Sequence, residues 1–265
     1  MKRIVLFASI SHLAMIAGGA QAADLRLKAP PMVAAPVYSW TGCYAGAHLG
    51  GGWNHQQVTA SNFSYGVPSG PVSATNALDT SSGIFGGQAG CNYQFAGNWV
   101  VGVQGDIAGA DFSGVVADPF DRFNLQNPPG TIGVKTDWIA SLTARLGITA
   151  WNNRALFYVK GGAAWDRNRW DLSRSSYCAF YQGCLNRGPE ETRTGWTAGV
   201  GVEWVILPTS PNWTAFAEYN FYAFSGNGFN LPVGLVFIDP RNAISAGRQE
   251  IQTVKVGINY KFTGP

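Results

Sequence analysis

Residues 137–150 read Asp-Trp-Ile-Ala-Ser-Leu-Thr-Ala-Arg-Leu-Gly-Ile-Thr-Ala, and the alternation in this stretch decides the fold. Every second side chain is apolar: Trp138, Ala140, Leu142, Ala144, Leu146 and Ile148. The intervening side chains are mostly polar, with Ser141, Thr143, Arg145 and Thr149 among them. Because successive side chains of a β-strand leave opposite faces, the pattern predicts a strand with one apolar face and one polar face.

The alternation is longer than the five or six residues of an ordinary soluble strand. A tilted strand of about ten residues is what crossing a bilayer requires. Asn152-Asn153 follows as a turn, since Asn tolerates positive φ. A second alternating strand then runs from Ala155 to Trp165, with Phe157 and Val159 on its apolar face. The two strands predict a hairpin of a transmembrane β-barrel.

The N-terminal residues have the features of an export signal. Lys2-Arg3 is followed by an apolar run, and Ala20-Gln21-Ala22 matches a small-x-small cleavage site. Residues 1–22 are therefore predicted to be a signal peptide, because the apolar run is too short for a spanning helix. Residues 23–39 contain several prolines and no periodicity, which predicts an extended periplasmic leader.

The composition excludes several classes of protein. Charged residues make up 12% of the chain, and the chain holds 34 glycines and 13% aromatic residues. Without Lys2 and Arg3, the 18 basic residues become 16 against 15 acidic ones, a net charge near +1. This charge predicts no nucleic-acid partner. We expect no cofactor and no metal site, because the sequence lacks a CxxC pair and its His48 and His55 are isolated.

Alternation divides residues 40–262 into eight strands, joined by three short turns and four long segments. The long segments are predicted to be loops at about residues 54–81, 113–135, 167–192 and 225–247. An even strand number, short periplasmic turns and longer external loops are typical of an outer-membrane barrel. The strands must close into a ring, since hydrocarbon cannot hydrogen-bond a free strand edge. The predicted fold is an all-β, eight-stranded antiparallel up-and-down barrel.

Aromatic residues cluster at the predicted strand ends, where a barrel places its interfacial girdles. The candidate girdle residues are Trp99, Trp138, Trp151, Trp165, Trp204, Trp213 and Phe262.

The four cysteines predict two disulfides in an exported chain. Cys178 and Cys184 are close in sequence within a polar segment and are expected to close a loop. Cys43 and Cys91 lie on strands predicted to be antiparallel neighbours. Topology favours this pairing among the three possible ones, although the spacing does not prove it.

Six charged side chains are predicted to face the interior, three of each sign. The acidic residues are Asp106, Glu203 and Glu218, and the basic ones are Arg145, Lys160 and Lys255. Equal numbers can form a hydrogen-bonded network that fixes the strand register. The alternatives are a lining that sets ion selectivity in a narrow pore, or a carboxylate pair acting as general acid and base. Eight strands leave an interior that side chains can fill, which favours the network.

Several segments carry a family resemblance. They are Trp40-Thr-Gly-Cys-Tyr-Ala-Gly, Gly86-Gly-Gln-Ala-Gly-Cys-Asn-Tyr-Gln, Gly195-Trp-Thr-Ala-Gly-Val-Gly-Val-Glu-Trp, Ala217-Glu-Tyr-Asn-Phe-Tyr and Val254-Lys-Val-Gly-Ile-Asn-Tyr-Lys-Phe. Together they resemble small outer-membrane β-barrels, above all the alphaproteobacterial outer-membrane immunogenic or opacity-like porin-family proteins. The resemblance implies location in the outer membrane, exposed antigenic loops and no enzymatic site. One departure is that Thr263-Gly264-Pro265 follows Phe262, whereas such barrels often end on the aromatic residue that the assembly machinery reads.

The first functional hypothesis is a non-enzymatic outer-membrane barrel that supports envelope integrity and presents loops for adhesion or host contact. The expected partners are outer-membrane lipid and lipopolysaccharide, the barrel assembly machinery and a host or surface ligand. The alternatives are a narrow porin, a barrel enzyme acting on lipid through His48 and a serine such as Ser141, and a secreted soluble barrel. The soluble barrel would need its apolar side chains inside.

Overall fold

The computed structural model describes residues 38–63, 72–117, 130–171, 190–207, 210–226, 228–230 and 243–262. The predicted signal peptide, the leader up to residue 37, and Cys178 and Cys184 lie outside these ranges. Among the residues that are described, no helix is long and apolar enough to cross a membrane.

The described chain forms nine strands in one antiparallel sheet. They are β1 (Gly42–Phe63), β2 (Val72–Phe95), β3 (Trp99–Ala117), β4 (Thr131–Ala150), β5 (Ala155–Asp171), β6 (Glu190–Leu207), β7 (Ser210–Phe224), β8 (Gly228–Asn230) and β9 (Ala243–Lys261).

Eight of these strands close into a ring. Each long strand pairs with the next along the chain, β7 pairs with β9, and β9 returns to pair with β1 from Tyr44–Lys261 to Ser61–Ala243. The short strand β8 pairs with the first residues of β9, Ala243 to Ser245, and lies beside the ring rather than in it. The predicted eight-stranded antiparallel barrel is confirmed, with one accessory strand that the alternation did not reveal.

Tight turns join the strands at one end of the barrel. Ala96 and Gly97 have positive φ between β2 and β3, and so do Trp151, Asn152 and Asn153 between β4 and β5. Asn adopts this left-handed conformation readily, which explains the second turn. In outer-membrane barrels the short turns are periplasmic, so we call this end the periplasmic end.

The two faces of the wall are as the alternation predicts. On β4, Leu142 is 56% exposed, whereas its neighbours Thr143 and Arg145 are almost fully buried. The same holds on β9, where Val254 and Val256 are exposed and Lys255 is 1% exposed. Large apolar side chains therefore point outward and charged ones inward, which is the inverse of a water-soluble barrel.

The strand ends differ from the prediction. The segments predicted as loops at 54–81, 113–135 and 167–192 are partly strand, because β1 continues to Phe63, β2 begins at Val72 and β3 continues to Ala117. Likewise β4 begins at Thr131 and β5 ends at Asp171. The fourth predicted loop, at 225–247, contains β8 and the beginning of β9.

The reason is a reversal of the pattern above the bilayer. Six of the buried inner side chains in the extensions are apolar, namely Val58, Leu78, Val116, Ile132, Val134 and Trp170, although polar ones such as Gln56, Asn168 and Gln249 are buried among them. Most outer ones are polar, as at Lys135, Arg167 and Glu190. Where water replaces lipid outside the wall, the outer face no longer needs apolar side chains, and apolar side chains gather on the inner face instead. The alternation that places apolar residues outside within the bilayer is therefore lost above it.

The extensions are arranged as two sheets. The β2–β3 ladder ends at Ile84–Ala110, and the β6–β7 ladder ends at Gly195–Phe224. Beyond these points the described strands form a β2-β1-β9-β8 sheet and a β3-β4-β5-β6 sheet. Gln249 Nε2 joins the two sheets by donating to Asn54 Oδ1 at 2.7 Å and Thr136 Oγ1 at 3.3 Å.

The face assignment predicts the effect of a charge on the outer wall. Leu142→Arg is expected to lower the free energy of unfolding by about 2–4 kcal/mol, because its guanidinium would lie near the bilayer midplane. Val115→Arg is the matched control, since Val115 is a 63% exposed outer side chain beyond the lipid-facing band. Its cost should stay below about 1 kcal/mol. Denaturant titrations in phospholipid vesicles measure both variants, and equal costs would contradict the assignment.

Candidate functional site

The six predicted interior charges form three ion pairs, which we call the interior ionic cluster. Lys255 Nζ lies 2.7 Å from Asp106 Oδ1, Arg145 Nη2 lies 3.0 Å from Glu203 Oε2, and Lys160 Nζ lies 2.6 Å from Glu218 Oε2. Each of these six side chains is at most 3% exposed. Every charge therefore has an opposite partner across the lumen, as dry burial requires.

Neutral side chains connect two of the three pairs, Arg145–Glu203 and Lys160–Glu218. Glu203 also accepts from Thr214 Oγ1 at 2.6 Å and from Asn259 Nδ2 at 2.8 Å. Glu218 also accepts from Tyr158 at 2.6 Å. Gln88 and Gln104 continue the network, since Gln104 donates to Gln88 and Gln88 donates to Asn259. All eight strands of the ring contribute to this network or to its contacts, so it links the strands across the lumen.

The Arg145 guanidinium lies between two tyrosine rings. Its Cζ is 3.8 Å from the centroid of Tyr158 and 5.5 Å from that of Tyr44. Arg145 also donates to the Tyr44 hydroxyl, and Tyr44 donates to Gln104 Oε1 at 2.9 Å. These contacts fix the guanidinium by cation–π attraction in addition to its ion pair.

Glycines in the neighbouring strands make room for these rings. A Cβ at Gly201 would lie 2.5 Å from Tyr158 Cζ, and one at Gly257 would lie 2.6 Å from Phe216 Cζ. The Gly-rich strands thus let large side chains fill a narrow lumen.

His48 also belongs to the cluster. Its Nε2 lies 2.8 Å from Asp106 Oδ2, and both side chains are at most 1% exposed. Ser141 faces the same interior and is paired in register with Asp106. The two residues considered for lipid hydrolysis are therefore sealed within the wall, on the side away from lipid.

Apolar side chains cover the ionic cluster on both sides. Toward the external end lies a buried group that includes Ile84, Phe112, Ile139, Phe224 and Ile251. Toward the periplasmic end lies a second group of Tyr38, Trp40, Val100, Leu156 and Tyr158. The cluster is thus separated from water at both ends of the lumen.

Trp40 covers the periplasmic mouth. It is 2% exposed, and its indole Nε1 donates to the carbonyl oxygen of Asn153 at 2.9 Å, in the turn on the opposite side of the ring. Its backbone N–H donates to Gln94 Oε1 at 2.8 Å. Lys261 holds the preceding residues by donating to the Ser39 carbonyl and by lying 4.7 Å from the Tyr38 ring centroid. Sequence reasoning placed residues up to 39 in an extended leader and did not identify this cover.

A fourth buried ion pair lies above the first apolar group. Arg193 donates to both carboxylate oxygens of Asp166, at 3.2 and 2.6 Å, and both side chains are at most 1% exposed. The predicted strand from Ala155 ends at Trp165 and the third predicted loop ends at about residue 192, so the sequence predicted no interior role for Arg193. Its inward position could have been found by extending the β6 alternation past Gly195.

The predicted girdle residues lie on the outer wall at two heights. Trp99, Trp151, Trp204, Trp213 and Phe262 are 40–72% exposed at the periplasmic end. Trp138 and Trp165 are partly buried at the other end of the lipid-facing band, where Trp165 pairs in register with Ala140.

Cys43 and Cys91 form a disulfide, which is the pairing that the topology favoured. The two residues are directly opposite in the β1–β2 ladder and are exposed on the outer wall near the periplasmic end. The expected Cys178–Cys184 bond lies outside the described residues.

Above the lipid-facing band the outer wall carries exposed ion pairs. Arg169 Nε lies 3.1 Å from both Asp137 Oδ2 and Glu190 Oε1, and Arg167 donates to Glu190. The hydrogen bond from Arg167 holds the pKa of Glu190 below its usual range. Among the described residues, no group of three or more His, Cys, Asp or Glu side chains is placed to hold a metal ion.

A closed ring with an apolar exterior, aromatic girdles and a charged interior defines an integral β-barrel of the outer membrane. The chain belongs to the outer membrane protein beta-barrel domain family, whose model matches residues 10–262. It is an outer-membrane protein, as are the relatives that it resembles.

Two relatives extend over most of the chain. The 31 kDa outer-membrane immunogenic protein of Brucella melitensis biotype 1 is 32% identical over 270 aligned positions, and the alignment covers 99% of this chain and 100% of that protein. The 25 kDa outer-membrane immunogenic protein of Brucella canis is 29% identical over 248 residues, with 91% and 90% covered. Among solved structures, the outer membrane protein OprG from Pseudomonas aeruginosa matches with a TM-score of 0.44 at 14% identity, covering 84% of this chain and 97% of that one.

Proposed function

We propose that the protein is a non-enzymatic membrane-embedded support that presents external loops for adhesion or host contact and contributes to envelope integrity. The observation that carries this proposal is the filled lumen. Side chains occupy the interior from Trp40 at the mouth to Trp170 in the external extension, and each of these two is at most 2% exposed.

A pore would need a continuous polar path, and the described interior interrupts such a path twice. The apolar groups around Trp40 and around Phe112 lie on either side of the ionic cluster. An ion crossing either group would lose its hydration without gaining polar partners, which costs several kcal/mol or more. The cluster's cations and carboxylates are also already paired with one another.

The external extensions support the presentation of loops. The described strands continue beyond the lipid-facing band to ends such as Phe63, Ala117 and Asp171. Paired strands hold this wall together, so the strand ends provide a rigid base for the loops that we propose as the contact surface. Exposed segments on a rigid scaffold are the usual means by which barrels meet external ligands.

Among the described residues, the His48 and Ser141 pair of the enzyme alternative is not accessible to lipid. A hydrolase acting on lipid would need its His and Ser at a surface that the lipid reaches. His48 instead lies against Asp106 in the interior. His48→Ala is therefore expected to leave the lipid profile of the envelope unchanged.

Planar-bilayer recording of the purified, refolded full-length protein tests the proposal. A filled lumen predicts a bilayer without steady open conductance. Stable conductance steps would favour the narrow porin and overturn the proposal.

The contact role has its own test, in which cells of a Gram-negative host display the protein and adhere to cultured epithelial cells. Replacing residues 118–129 by a short Asn-Gly turn should reduce adherence while heat-modifiable gel migration shows an intact barrel. Unchanged adherence for this variant and for equivalent variants of the other three segments would overturn that role.

A further inference from the structure

The outer wall of β1, β2 and β9 bears a cavity of about 390 Å³ at the external edge of the lipid-facing band. Two rows of paired residues cross it. The first row is Ser81, Trp53 and Gln252, and the second is Asp79, His55 and Glu250. All six side chains leave the outer face, and the volume is within the range of about 300–1,000 Å³ usual for ligand sites.

Trp53 supplies the apolar part of this cavity. Its side chain is 56% exposed, and it stands at the external end of the lipid-facing row that includes Leu49. A lipid in contact with this ring would therefore have its acyl chains in the bilayer and its polar head group at the level of the second row.

The polar side chains around Trp53 are already oriented by partners in the wall. Tyr219 donates its hydroxyl to Gln252 Oε1 at 2.9 Å, which leaves the amide N–H groups of Gln252 to donate elsewhere. His55 Nδ1 lies 2.6 Å from Asp79 Oδ1, so the second carboxylate oxygen and His55 Nε2 remain for a ligand. Arg248 Nε lies 3.0 Å from Glu250 Oε1.

We propose that this cavity binds the uncharged sugar head of an outer-leaflet glycolipid. A pyranose ring offers a C–H face to an aromatic plane, and its hydroxyls both donate and accept around the edge, which matches Trp53 and its mixed polar neighbours. A phosphate head fits less well, because the carboxylates of Asp79 and Glu250 line the cavity and the nearby Arg248 guanidinium already pairs with Glu250. The inference rests on the membrane location of the wall and is independent of the proposed contact role. Interfacial anchoring alone would require only the Trp.

Native mass spectrometry of the full-length protein can test this site. The protein is released from mixed micelles of digalactosyl diacylglycerol and phosphatidylglycerol with the same acyl chains, and the retained lipids are counted. The native protein should retain about ten times as many galactolipid molecules as phosphatidylglycerol molecules. Trp53→Ala and Gln252→Ala should each remove the preference, with heat-modifiable migration showing that the barrel is folded.

Trp196→Ala is the matched control. Trp196 is a 52% exposed outer side chain on the opposite wall, and its ladder partners are Ala163 and Ala223 rather than polar residues. Its replacement should leave the preference intact. Equal retention of both lipids, a preference for phosphatidylglycerol, or the same loss in Trp53→Ala and Trp196→Ala would overturn the proposal.

Discussion

Replacing Lys160 with Met is expected to lower the free energy of unfolding by about 3–5 kcal/mol, because it leaves the Glu218 carboxylate buried without its cation. Lys160 Nζ lies 2.6 Å from Glu218 Oε2, and the two side chains are at most 1% exposed. The apolar groups on either side give the carboxylate no route to water. Urea or guanidinium titration of the protein folded in phospholipid vesicles measures the loss.

A double-mutant cycle separates the charge effect from packing. Lys160→Met combined with Glu218→Gln should recover much of the lost stability, since no unpaired charge remains. Arg167→Ala is the exposed control, because Arg167 and Glu190 are 39% and 35% exposed, and its cost should be about 0–1 kcal/mol. If Lys160→Met lowers the free energy of unfolding no more than Arg167→Ala does, water reaches the interior ionic cluster and the lumen is not filled.

Removal of the Cys43–Cys91 disulfide should lower the free energy of unfolding by roughly 4 kcal/mol, the loop-entropy value for a cross-link between residues separated by 48 positions. The folded barrel should change little, because the β1–β2 ladder continues on both sides of the bond. Cys43→Ser with Cys91→Ser is the variant, and denaturant titration in vesicles is the measurement.

The matched control is Cys178→Ser with Cys184→Ser. A bond between these two would close a much shorter loop, so its removal should cost less. A Cys43/Cys91 variant as stable as the native protein would mean that the denatured chain is already constrained at this hairpin.

The sequence predicted the lipid-facing part of the barrel well because one rule applies to the whole of it. Leu142 and Val254 must face lipid, and Arg145 and Lys255 must not. The alternation therefore identifies both the strand and the face that points into the barrel. The six interior charges followed from the same rule. Which charge pairs with which did not, because Lys255 and Asp106 are 149 residues apart and meet only after the ring closes.

The strand ends could not be obtained in this way. Val58 and Ile132 point inward where the lipid rule expects polar side chains, because water rather than lipid surrounds the extensions. At the bilayer surface, apolar side chains begin to appear on the inner face instead of the outer one. A strand that crosses this level therefore looks irregular when it is compared with a single alternating pattern. Trp40 was missed for another reason, since a single Trp before the first strand carries no periodicity, and its contact with Asn153 spans 113 residues.

Alternate accessibility along β4 tests the central claim most directly. Single cysteines at residues 138–149, in a background with Cys178 and Cys184 changed to Ser, would carry nitroxide labels in lipid vesicles. The closed barrel predicts high oxygen accessibility at even positions such as Leu142 and Leu146, and low values at odd positions such as Thr143 and Arg145. Uniform accessibility along the strand, or high values at the odd positions, would contradict an apolar exterior around a packed, charged interior.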